Sequence, residues 1–266
     1  MDPISIKEED RLIFLVVGCV IASVFLMLSL LFLSDESRIA ILFFDIAGKL
    51  GAFPFTVQGF MWLIFFLALA DAVYLYLLVE KDKRGLRAGL LPENKSKMIN
   101  HETAKQIYAK TTHHGSSDSA IPFLILKTLN QFFSTKSLSR AKEVFNNSTR
   151  LLGDRYEVKF TFIRYVAWLL PTIGFIGTVI GISLALNVAA VPPLEMDGVS
   201  MRDWMGSLTG ELGYAFDTTL LALMQSALIM FTLSQIQAHA DRVLIDCEEY
   251  CLDNLINKLL VSRGHD

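Results

Sequence analysis

The chain has 266 residues, 53% hydrophobic and 19% charged, with a formal net charge of −3. That balance excludes a disordered chain and is too apolar for an ordinary soluble domain. The slight negative charge leaves no basic footprint for nucleic acid. Cys19, Cys247 and Cys251 form no CxxC pair and no disulfide framework, and they read as packed thiols.

Four runs are long and apolar enough to cross a hydrocarbon core about 30 Å thick, which takes about 20 helical residues. Span one, Leu12 to Leu33, carries no charge. Its length and acidic flank, and the missing A-x-A site, predict a retained span and no cleaved signal. Span two, Val57 to Val79, carries only Asp71. Span three, Tyr165 to Val191, carries none, and span four, Gly213 to Ala238, carries only Asp217.

The stretch from Glu80 to Lys159 holds more than half of the 24 Lys and Arg, with Lys81, Lys83, Arg84 and Arg87 directly after span two. The loop after span one has Arg38 and Lys49, and the loop after span three has Arg202 alone. The positive-inside rule therefore predicts a multi-pass protein with both termini cytoplasmic and two outward loops. A cysteine at Ser200 should label from outside, and one at Ser116 should not.

The expected organisation has four parts. Residues 1–79 carry an N-terminal cytoplasmic segment and outer spans one and two. Residues 80–159 form a cytoplasmic helical region. Residues 160–238 hold spans three and four, and 239–266 form a cytoplasmic helical tail. Val243, Cys247, Cys251, Leu255 and Leu259 give that tail one continuous apolar stripe. His113 and His114 beside Gly115 read as a solvated loop and give no metal site. The acceptor patterns at Asn146 and Asn147 fall on the cytoplasmic side and are discounted.

Spans three and four carry the unusual pattern. Around Thr178 lie Pro171, Gly174, Gly181 and Ala185 on one helical face, and Gly177 forms a GxxxG pair with Gly181. Around Thr219 lie Ala215, Ala222 and Ser226. Counted from opposite membrane surfaces at about 1.5 Å per residue, the two hydroxyls reach one depth. Small residues at this spacing permit close helix packing, and a threonine can bond its own i−4 carbonyl. The depth match favours a polar path or a docking groove. Asp71 and Asp217 are costly in a membrane and are either ionic or structurally paired. Asp217 lies about 200° from Thr219 around the helix.

The segment IRYVAWLLPTIGFIGTVIGI, followed by AFDTTLLAL, resembles the MotA/TolQ/ExbB proton-channel family over roughly residues 155 to 240. The resemblance implies an all-α membrane protein of four transmembrane helices with long helices extending into the cytoplasm, assembled as a homopentamer. It implies two copies of a single-span MotB/TolR/ExbD-like partner in a central pore. Thr178, Thr218, Thr219, Asp217 and Ser226 are then candidates for the ion path. Pro171, Gly174, Gly177, Gly181, Ala185, Ala215 and Ala222 are candidates for packing against the partner helix. The implied function is an ion-driven motor subunit of the bacterial inner membrane that powers work in the cell envelope. The transported ion is H⁺, with Na⁺ as second choice, and no cofactor, catalytic residue or metal is expected. The alternative is a non-conducting oligomeric membrane scaffold or sensor. A membrane enzyme is disfavoured, because neither GxSG nor HExxH occurs.

Overall fold

The computed structural model describes residues 8–32, 38–45, 55–92, 98–114, 119–193 and 197–259. Lys49, Gly115 and Ser116 lie outside the described residues. The first apolar run forms α1 (Glu8–Phe32) and the second forms α3 (Val57–Leu86), with a short α2 (Arg38–Phe44) between them. α4 (His101–His114) and α5 (Ala120–Thr135) follow. Two long helices, α6 (Leu138–Ala189) and α7 (Gly198–Asn254), precede a 3-10 turn at Ile256–Lys258. The His113–His114 pair, expected in a loop, closes α4.

α1, α3, α6 and α7 are each long and apolar enough to cross a membrane. With 52 and 57 residues, α6 and α7 rise about 78 Å and about 85 Å, more than twice the thickness of a hydrocarbon core. Both therefore continue well past their apolar runs as helix. Asp197 caps α7, its Oδ1 accepting from the Ser200 N–H at 2.8 Å. Hydrogen bonds from Ser200 hold the Asp197 carboxyl below its ordinary range.

The chain divides into two compact units. The first holds residues 7–74 and 162–234, and the second holds 75–161 and the chain from Gln235 onward.

In the first unit α1 and α3 pack antiparallel. Gly18 makes the approach possible, since a Cβ there would sit 2.8 Å from the Ala70 Cβ. Phe25 packs on Trp62 and Phe66, with ring centroids 4.9 Å and 5.1 Å apart. The short α2 survives because the start of α3 satisfies its terminal carbonyls. Gln58 Nε2 donates to Ile41 O at 3.3 Å and Leu42 O at 3.0 Å, and Trp62 Nε1 donates to Phe43 O at 2.8 Å. Thr56 Oγ1 donates to Phe44 O at 3.5 Å and accepts from the Gly59 N–H at 3.0 Å, capping α3.

The second unit is organised by buried polar pins. The Asp82 carboxylate, 5% exposed, accepts from the Ala120 N–H at 3.0 Å and from the Tyr156 hydroxyl. It thus sets a carboxyl oxygen on the N-terminus of α5; burial pushes the Asp82 pKa up, against the lowering effect of the bonds from Tyr156 and Ala120. The apolar stripe expected in the tail is buried here: Val243, Cys247, Cys251, Leu255 and Leu259 are all at most 5% exposed. Lys258 fixes the end, donating to Pro92 O at 2.7 Å and Asn254 Oδ1 at 2.8 Å. Both cysteine thiols of the tail are fully buried. We therefore expect Cys247 and Cys251 to react with a maleimide at least tenfold more slowly in the folded protein than in denaturant. Equal rates in the two conditions would contradict this packing.

Candidate ion-path site

Glycine brings spans three and four together. A Cβ on Gly174 would lie 2.4 Å from the Ala222 Cβ, and one on Gly181 would lie 2.7 Å from the Ala215 Cβ. At Gly177 it would meet Thr218 Oγ1 at 2.7 Å. Contacts pairing 174 with 222, 177 with 218 and 181 with 215 define an antiparallel seam. Beyond its Gly181 end Trp204 Nε1 donates to Val188 O at 2.9 Å.

A polar node lies inside this seam. Thr178 Oγ1 is 3.1 Å from both Gly174 O and Ala215 O. Thr218 Oγ1 reaches the same two carbonyls, Ala215 O at 2.8 Å and Gly174 O at 3.3 Å. Each hydroxyl has one proton, so each shares it between two acceptors and keeps its lone pairs. Two hydroxyls and two carbonyls from facing helices are thereby joined.

The candidate residues fall into four groups in the structure. First, Gly174, Gly177, Gly181, Ala185, Ala215 and Ala222 are buried within the single chain. For the glycines, Ala215 and Ala222, the contacts run from one span to the other. These candidates for packing on a partner helix thus face the neighbouring span of the same chain. Pro171 and Thr178 stay half-buried.

Second, the hydroxyl at the centre of the span-four face belongs to Thr218, which is fully buried. Thr219 is half-buried, and its Oγ1 donates to Phe216 O at 2.9 Å on its own helix. Adjacent residues differ by about 100° around a helix. The space above Gly177 accepts the Thr218 side chain and turns Thr219 away.

Third, Ser226 Oγ donates to Ala167 O at 2.7 Å. Pro171 stands inside α6 and has no N–H for the carbonyl four residues earlier, which is that of Ala167. Ser226 supplies the missing donor. Its proton is therefore committed to repairing the proline break.

Fourth, Asp71 is ion-paired in this chain. Its carboxylate, fully buried, takes a bidentate pair of bonds from Arg11, Nε to Oδ1 at 2.6 Å and Nη2 to Oδ2 at 2.8 Å. Such fork-on-fork pairs are the strong charge-assisted class. The Arg11 guanidinium also lies 6.0 Å from the Phe162 ring centroid. Arg11 was missed because it precedes the first apolar run, although one long side chain reaches back to Asp71. Arg11→Ala should destabilise the protein by about 3 kcal/mol or more, because it strands a buried carboxylate. Arg11→Met with Asp71→Leu should recover most of that loss in thermal unfolding. If the double variant is no better than Arg11→Ala, the pair is not what Asp71 requires.

Asp217 is half-buried on span four. Gln225, which sequence reading passed over, is 2% exposed with neither amide atom hydrogen-bonded.

No curated protein and no solved structure matches the chain. A family model does match: it covers residues 116–249 and so takes in α5, all of α6 and most of α7. With half the chain matched, including both helices of the glycine seam and its hydroxyl node, this protein belongs to the MotA/TolQ/ExbB proton channel family.

Proposed function

We propose that this chain is the channel subunit of an ion-driven rotary motor in the bacterial inner membrane. Five copies surround a pore, with α6 and α7 inside and α1 and α3 outside. Two copies of a single-span MotB/TolR/ExbD-like partner occupy the pore, and H⁺ flow turns the ring around them to do work in the cell envelope. Both termini face the cytoplasm, as do the extensions of α6 and α7.

The observation that carries this reading is the hydroxyl node within the family-matched helices. A hydroxyl that has given its proton to a carbonyl presents only lone pairs. That is the lining a protonated partner carboxyl or a passing hydronium needs. Thr219, half-buried and turned from the seam, offers such an acceptor at the helix surface. Thr178 remains partly accessible for the same role, half-buried Pro171 is left to pack against the partner helix, and half-buried Asp217 is our candidate for an entry route. One charge crossing 100 mV releases about 2.3 kcal/mol, enough to bias each rotational step.

The decisive experiment is co-expression with a MotB/TolR/ExbD-like single-span partner, reading proton flux into cells or vesicles. Flux that depends on both chains supports the motor. A second reading, a non-conducting scaffold, draws on the fact that all three threonine hydroxyls already bond backbone carbonyls. It predicts the same oligomer with no flux.

Two further outcomes are expected. Native mass measurement in mild detergent should give five copies; a monomer or dimer would count decisively against the ring. Ser200→Cys should label from outside intact cells, and Ser134→Cys, exposed on α5, should label only after permeabilisation. The reverse pattern would overturn the orientation.

A further inference from the structure

We propose that the membrane unit holds an internal water at Gln225, one polar layer away from the threonine node, and that this water is a station on the proton path. The second half rests on the motor reading above; the first does not.

The observation is an orphaned amide. Gln225 is 2% exposed, and neither Oε1 nor Nε2 has a hydrogen-bond partner. It lies in the apolar run of span four, where no bulk water compensates. Leaving both ends of a carboxamide unpaired in an apolar seam is costly, and buried polar groups of native proteins are almost always satisfied. Burial within the single chain also rules out a neighbouring subunit as the missing partner.

Its position narrows the ligand. Gln225 is seven residues beyond Thr218, two helical turns or about 10 Å along the same face of α7. The antiparallel register sets it level with Pro171, where α6 lacks one backbone N–H donor and Ser226 bonds Ala167 O instead. A neutral amide with one donor end and one acceptor end suits a neutral molecule that both donates and accepts. A water donating to Gln225 Oε1 and accepting from Nε2 meets the usual need for two or more polar partners. On the motor reading, a proton arriving along the path adds to this water to make hydronium and a different proton leaves it toward the next acceptor on the path, so charge moves while the water stays; the amide only holds the water and neither gains nor loses a proton.

The test has two arms on the full chain. An experimental structure in a lipid nanodisc, at a resolution that orders waters, should show density within hydrogen-bond reach of the Gln225 amide. No density there, or an amide paired with protein groups instead, overturns the site. In the second arm, Gln225→Leu keeps the bulk and removes the polar end. Co-expressed with the partner, it should assemble as wild type and lose at least tenfold in proton flux. Gln225→Asn should keep part of the flux. Full flux in Gln225→Leu removes the water from the path. If the wild-type pair itself carries no flux, the motor reading falls, and the density arm still decides the site.

Discussion

Gly174→Ala should separate spans three and four and abolish ion-driven activity. The added Cβ would meet the Ala222 Cβ at 2.4 Å and Thr218 O at 3.2 Å. To relieve this the helices must part, and the bonds from Thr178 to Ala215 O at 3.1 Å and from Thr218 to Gly174 O at 3.3 Å stretch out of range. Overpacking of this kind costs about 1–3 kcal/mol, before the lost hydrogen bonds are counted. The nearest obstacle is a side-chain methyl, so Ala222→Gly should rescue a good part of the loss. Gly181→Ala behaves differently. There the new Cβ meets the Ala215 Cβ at 2.7 Å, but also its Cα at 2.9 Å and N at 3.1 Å. Removing the Ala215 methyl leaves the backbone in the way, so Ala215→Gly should rescue little. Thermal unfolding in detergent and proton flux should both follow this asymmetry. Equal rescue at the two positions would show that the seam is looser than drawn.

The asymmetry also shows what could be read from the sequence. Four spans were legible because length and the absence of charge are local properties that need no partner. The close contact of spans three and four was half legible. Gly174, Gly177, Gly181, Ala215 and Ala222 announce a near approach, since little else explains small residues at that spacing. What they approach is not written in either helix alone, and the seam closes on itself within one chain. The choice between Thr218 and Thr219 was illegible for the same reason. Both are threonines, one residue apart, and only the room above Gly177 decides between them. The bond from Ser226 to Ala167 O was partly available. A proline at 171 orphans the carbonyl at 167 by arithmetic, but the donor lies 59 positions away along the chain. Arg11 and Asp71 are 60 apart, and their meeting depends on the antiparallel register that Gly18 sets.

Thr219→Val should assemble as wild type and lose most ion-driven activity. The hydroxyl donates only to Phe216 O on its own helix, and valine keeps the β-branched shape, so packing is preserved. What disappears is an acceptor oxygen at a half-buried position turned from the seam. Thr218→Val and Thr178→Val remove bonds that join the two helices. Each should therefore lower stability by about 1 kcal/mol as well as flux, so neither separates the two roles as cleanly. Thr219→Ser should retain part of the flux because the oxygen remains. Asp217→Asn is the companion: lost flux with an intact ring puts its charge on the path, whereas a lost ring makes it a structural partner. The measurements are proton flux with the partner present and native mass of the ring. Full flux in Thr219→Val would sink the acceptor-lining mechanism. The ring could still stand, and the scaffold reading would then explain why each threonine already spends its proton on a backbone carbonyl.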